Sequence, residues 1–283
     1  MTHSHETQTP EQNYTTEEIT GALANAQEVV ARLQLDSSFH AACAEATIHP
    51  LRDRQTPEYW HAFRMYVGGR VDAAKEAGKD TLQMDAIELL AAAPSYLLEQ
   101  QKLTKGSFED IQERRYAKEI VSWYNGMIRG FAQNYPETSA SSLTTKLLTT
   151  VSETVHTPND RNAAGQCLKN TIRGAQHELA FGQVLGHTGI PCRSTTVEED
   201  LKGLDYVVGE GKHAIGVDVK ASLSEVESRG SERLFAVKPN GNVVMYSMVL
   251  DAELHDRFFV DDQLAKEKSM QLIPQLIAAQ KAA

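Results

Sequence analysis

Asp218 and Lys220 stand two residues apart in the run Ile215-Gly216-Val217-Asp218-Val219-Lys220-Ala221. On a β-strand successive side chains alternate between faces, so Ile215, Val217, Val219 and Ala221 share one face, and Gly216, Asp218 and Lys220 share the other. The carboxylate and the ammonium then lie roughly 6.5 Å apart along the strand, a spacing that lets two groups address one metal ion and its bound water. Asp205 repeats the pattern in the preceding run Gly203-Leu204-Asp205-Tyr206-Val207-Val208, with the Gly209-Glu210-Gly211 turn between the two. Glu178 sits upstream on a segment of helical periodicity. Its neighbour His177 lies about 100° around the helix axis and is expected to face elsewhere.

These residues need strands and a helix to bring them together, and the chain supplies both after residue 157. A helix over 161–186 is followed by short β-branched runs punctuated by glycine, predicting strands at 190–196, 203–209, 213–221, 233–238 and 243–250. The last two flank Pro239-Asn240-Gly241-Asn242, a strong hairpin signal. A closing helix over 261–281 contains Pro274, which should kink or divide it. Residues 1–14 are polar and read as a disordered tail. From 15 to 157 the pattern is helical, with blocks at 15–35, 38–48, 57–77, 81–100, 107–132 and 139–155. Thr15-Thr16-Glu17-Glu18 reads as a capping signature, after which Ile19, Leu23, Ala26, Val30 and Leu33 recur at helical spacing. Thr157-Pro158-Asn159-Asp160 marks the boundary between an all-α region (15–157) and a mixed α/β domain (158–283).

Composition narrows the function classes without choosing among them. The 283 residues carry a net charge of -10, with 41% hydrophobic and 23% charged residues, ordinary usage for a chain that buries a sizeable core. The acid is uneven: residues 1–160 hold 14 Lys or Arg against 22 Asp or Glu, and residues 161–283 hold 14 against 16. A polyanionic partner is therefore neither favoured nor forbidden near the acidic cluster. No window approaches a membrane span, and a cytoplasmic protein with no membrane partner is expected. Three scattered cysteines point to neither a disulfide framework nor a CxxC metal site, and none of the ten histidines forms HExxH or a zinc spacing. No P-loop, GxSxG elbow or dinucleotide fingerprint is present.

The order helix with Glu178, strand with Asp205, strand with Asp218-Val219-Lys220, then a further strand and helix, resembles the PD-(D/E)xK nuclease superfamily, which includes restriction enzymes and Holliday-junction resolvases. The resemblance covers about 165–250. Asp205 stands where that superfamily has its motif-II aspartate, although no proline precedes it, and Glu178 stands where many members have a helix-borne glutamate. The implied fold is restriction-endonuclease-like, a central mixed sheet flanked by helices. The implied activity is Mg²⁺-dependent hydrolysis of phosphodiesters, with Mn²⁺ able to substitute, most naturally in DNA and in a restriction, defence or repair role. Hard oxygen ligands suit this cation, so Asp205 and Asp218 would bind it directly, the Val219 carbonyl is a candidate third ligand, and Glu178 would act through water or complete a second site. Lys220 would orient or deprotonate the attacking water, or stabilise the transition state. The resemblance allows a homodimer. A non-catalytic nucleic-acid-binding or oligomerisation scaffold is the alternative.

Other residues compete for roles. Asp200, at the mouth of the Asp205 strand, reads as a supporting or solvated acid. Ser222, Arg193, Lys202, Arg229, Arg233 and Lys238 are candidate phosphate contacts. On the helix around 114–131, Ile120, Trp123, Tyr124, Met127 and Phe131 form an apolar stripe, and Arg114, Lys118, Asn125 and Arg129 form a face that could follow a phosphate backbone or simply be solvated. Tyr59 to Tyr66 reads as helix core.

Overall fold

Local capping chemistry starts most of the helices where the residue pattern places them. In the computed structural model, which describes residues 13–54, 56–106, 108–152, 158–222 and 234–283, Thr15 and Glu18 form the expected capping box of α1 (Thr16–Leu33). The Thr15 N–H donates to Glu18 Oε2 at 2.7 Å, and Ile19, Leu23, Ala26 and Val30 are buried. Asp36, Thr56, Asp80, Asp110 and Ser139 cap α2 (Ser37–Glu45), α3 (Pro57–Glu76), α4 (Thr81–Lys105), α5 (Ile111–Asn134) and α6 (Ala140–Val151). Each cap accepts a backbone N–H that the first helical turn leaves unpaired. Of the tail expected over 1–14, residues 1–12 lie outside the described residues, while Tyr14 packs edge-on against the Tyr135 ring at 5.6 Å.

α4 runs through the middle of the helical region. Residues 89 to 97 are buried on every side, including Pro94, as expected for a helix apolar all round. It outlasts its expected end at 100 and stops at Gly106, whose φ of 66° supplies the left-handed cap. Tyr96 of α4 stacks on Tyr124 of α5 at 4.5 Å between centroids. Tyr59, Trp60 and Phe63 are fully buried, as core residues should be. The α5 stripe is Ile120, Tyr124, Ile128 and Phe131; Trp123 lies outside it, 38% exposed, with the Arg64 guanidinium 4.5 Å over its ring.

α7 (Pro158–Gly186) belongs to two cores. Ala164, Leu168, Ile172, Ala175 and Leu179 pack into the helical core, and Ala180, Phe181, Val184 and Leu185 pack under the sheet. The change of core falls between Leu179 and Ala180, one residue past Glu178.

Among the described residues the sheet has five strands in the order β1-β2-β3-β5-β4: β1 (Cys192–Ser194), β2 (Tyr206–Val208), β3 (Ile215–Lys220), β4 (Phe235–Val237) and β5 (Val243–Tyr246). The β3–β5 pair is parallel and the other three pairs are antiparallel, so the sheet is mixed. Lys238 to Asn242 turn β4 into β5, with Gly241 at φ 81°, as the Asn-Gly pair predicts. Every strand is shorter than expected. Asp205 falls just before β2 rather than within it, and a short α8 (Val197–Asp200) occupies the connection from β1. After β5 the chain leaves the sheet at Ser247 and forms α9 (Asp251–Leu254).

α10 (Asp262–Ala282) is continuous, so that of the two expected effects, a kink or a division, Pro274 does not cause the division. Proline removes one hydrogen bond and presses on the carbonyl four residues back. Here both Pro274 and Met270 face solvent, and Leu272, Leu276 and Ala279 hold the helix against the sheet. Among the described residues no helix is long and apolar enough to cross a membrane.

Candidate active site

β3 is the central strand, not an edge, and its two faces meet different environments. Ile215, Val217 and Val219 join the core beneath α7 and α10, whereas Asp218 and Lys220 face a cleft under α5. The cleft, about 290 Å³, is lined by Glu178, Asp205, Asp218, Val219 and Lys220, all the expected site residues. α5 forms its opposite wall through Lys118, Ser122, Asn125 and Arg129, three of them on the face expected for phosphate contact.

Burial sets the electrostatics. Asp218 is only 7% exposed, and its two oxygens are held separately: Oδ1 by Lys220 Nζ at 2.6 Å and Oδ2 by Lys238 Nζ at 2.8 Å. Asp205 Oδ2 accepts the Val219 N–H at 2.6 Å, and the Asp205 N–H donates to the Val217 carbonyl at 2.8 Å. The N–H and C=O of one strand residue point the same way, so the Val219 carbonyl is directed to the Asp205 side, as its expected ligand role requires. Burial lifts the Asp205 carboxyl well above the usual aspartate range, and the charges of Glu178 and Asp218 push it further, against the Val219 N–H and Lys220.

Glu178 Oε2 accepts from Arg129 at 2.6 Å. Burial nevertheless raises the Glu178 carboxyl above its usual range, because the gain from Arg129 only partly offsets it and Asp200 adds repulsion. Asp200 also lines this cleft. It accepts from the Ser122 hydroxyl and lies 3.7 Å from Arg129, so it is integrated with α5 rather than solvated. Tyr206 ties the acids' two supports together, its hydroxyl donating to the Glu178 carbonyl at 2.9 Å.

His177 turns away, as the helix geometry predicts. It is buried, with Nδ1 2.7 Å from Ser247 Oγ and Nε2 2.7 Å from Asp251 Oδ1, which ties α7 to the chain after β5. Arg193 is spent on a bidentate pair with Glu199, both contacts at 2.8 Å. Lys202 is exposed and Ser222 half-buried, while Arg229 and Arg233 lie outside the described residues. Arg114 is not part of the cleft wall.

Hard carboxylate oxygens and a carbonyl are a donor set suited to Mg²⁺, which takes one or two carboxylates and keeps several waters. Among the described residues, however, no group of three or more His, Cys, Asp or Glu gathers as a metal cage. The acids share a cleft, but Glu178 and Asp218 are turned to Arg129, Lys220 and Lys238, and Asp205 to an amide. Sequence reasoning missed Ser122, and it placed Lys238 only among candidate phosphate contacts. The signal for Lys238 was its position at the mouth of the Asn-Gly hairpin beside β5. No family model, curated protein or solved structure matches the chain.

Proposed function

We propose that the chain is a metal-dependent nuclease that hydrolyses phosphodiesters in DNA, its C-terminal part a restriction-endonuclease-like domain. The observation that carries this reading is the single cleft lined by Glu178, Asp205, Asp218, Val219 and Lys220. A helix bearing an acid, an antiparallel β2–β3 pair and a parallel β3–β5 pair support the fold assignment.

Asp205 and Asp218, with the Val219 carbonyl, would hold Mg²⁺ or Mn²⁺, which when bound supplies positive charge to the phosphate and acidifies a water. Asp205 needs such a partner: its buried carboxylate faces two other acids. Lys220 shares Asp218 with Lys238, so Asp218 would keep one ammonium when the other turns to substrate. Lys220 orients or deprotonates the attacking water, and Lys238 and Lys118 meet phosphate oxygens. Arg129 holds Glu178 in the wall of the cleft.

A second reading has its own support. Glu178 and Asp218 are already neutralised by cations, an arrangement that would also serve a non-catalytic scaffold. The two separate on incubation of the chain with plasmid, single-stranded and branched DNA, and RNA, in Mg²⁺, Mn²⁺ or EDTA. The nuclease reading expects cleavage that EDTA abolishes and that Asp218→Ala and Lys220→Ala remove. No cleavage of any substrate, or cleavage unchanged in both variants, would sink it.

A further inference from the structure

A second and larger hollow opens beside the acidic cleft. It measures about 650 Å³, within the range of roughly 300–1,000 Å³ typical of ligand sites. It runs along α7 between the end of α4 and the start of α7, and Asn125 and Glu178 line both it and the cleft. The two spaces therefore meet at the residues that border the candidate reacting centre.

Its lining differs in kind from that of the cleft. Five amides, Gln100, Gln101, Asn125, Gln166 and Asn170, line it, Gln166 donating to Asn170 at 2.8 Å, whereas Lys105 is its one cation among the described residues, beside the acids Asp160 and Glu178. A track for phosphates would need several cations, since phosphate contacts are made mainly by Lys and Arg. Amide side chains, with a donor and an acceptor each, match instead the edges of nucleobases, which are read that way in single strands and splayed-out loops. At the junction the Asn125 Oδ1 is buried without a hydrogen-bond partner. On α7 the floor is formed by Gly174 and Ala175, and a Cβ added at Gly174 meets nothing within 4 Å.

We propose that this groove receives an unpaired base of the substrate strand next to the scissile phosphate, so that the substrate is DNA with a single-stranded or extruded nucleotide rather than continuous duplex. The assignment rests on the nuclease reading for the scissile phosphate, but it concerns binding and is tested by binding. Extruding a paired base costs a few kcal/mol, least where it is already unpaired, which makes the groove a device for choosing such DNA.

The test measures affinities of the full chain, in EDTA, for a duplex, the same duplex with one unpaired 2-aminopurine nucleotide, and matching single-stranded DNA and RNA. Wild type should bind the unpaired-base DNA about tenfold more tightly than the duplex, with a change in 2-aminopurine fluorescence. Gly174→Leu, which fills the groove and favours the helix, should lose that preference and keep duplex affinity; Gln101→Ala should weaken it. Equal wild-type affinity for both DNAs, or a preference that survives Gly174→Leu and Gln101→Ala, would overturn the proposal. Tighter binding of RNA would overturn the assignment to DNA. A preference that persists in a protein that cleaves nothing in Mg²⁺ would retain the groove while removing the nuclease reading.

Discussion

Lys238 Nζ lies 2.8 Å from Asp218 Oδ2, on the oxygen opposite the one that Lys220 holds at 2.6 Å. Two ammoniums thus share one nearly buried carboxylate, although only Lys220 belongs to the Asp-x-Lys strand. Their chemical roles should separate under mutation. Lys220→Met is expected to lower cleavage by about 10²–10⁴-fold, the range for a lost proton-transfer group, and Lys238→Met by less than tenfold. Each should cost about 1–2 kcal/mol of stability in urea unfolding, because Asp218 keeps one partner. Equal catalytic losses would mean that Lys238 does more than meet a phosphate oxygen.

The acids should make the metal-free protein sensitive to pH. Asp205 is lifted well above 3.8 and Glu178 above 4.5, burial being the first cause of each. A folded-state pKa above the unfolded one means that the folded protein takes up protons. This contribution to stability is full below the unfolded values and is lost as pH rises through the folded ones. At neutral pH, Asp205→Asn is therefore expected to raise the melting temperature of the metal-free chain by about 2–4 °C, since the amide oxygen can still accept the Val219 N–H. Mg²⁺ should stabilise the wild type and not the variant. Thermal melts with and without Mg²⁺ at pH 5 and pH 7 check both points, and an Asp205→Asn protein that melts lower than wild type at pH 7 without metal contradicts them.

On the proposed reading, Arg129 and a bound cation would compete for Glu178. Arg129→Met should reduce metal-free stability by about 2 kcal/mol, as the pair is only about a fifth exposed. The stabilisation gained on adding Mg²⁺ should then widen relative to wild type. An unchanged gap in a Mg²⁺ titration followed by melting temperature would mean that Glu178 does not feel the cation.

At Gly182 α7 lies against the Tyr206 side chain: a Cβ there would collide with the Tyr206 hydroxyl, which holds the Glu178 carbonyl. Gly182→Ala should therefore destabilise by about 1–3 kcal/mol despite alanine's better helix propensity. Tyr206→Phe in the same background should recover part of the loss, measured as a double-mutant cycle by urea unfolding.

What could be read from the residues was what local chemistry decides. Thr15 and Glu18 announce their helix, Asn240-Gly241 its hairpin, and the alternation around Asp218 separates a core face from a cleft face. What could not be read depends on distant partners. Arg129 reaches Glu178 across 49 positions and Ser122 reaches Asp200 across 78, so no window of sequence contains either pair. That Pro274 does not divide its helix has the same origin, since the burial of Leu272 and Leu276 against the sheet outweighs one lost hydrogen bond.

α7 has a mechanical consequence. A helix of 29 residues is about 43 Å long, and this one threads both cores like an axle, with Glu178 at the bearing between them. Turning the helical core relative to the sheet would twist that axle and move Glu178 against Asp205 and Asp218. A fragment that began at 158 would carry the acids and leave behind Arg129 and Ser122, the groups that hold two of them.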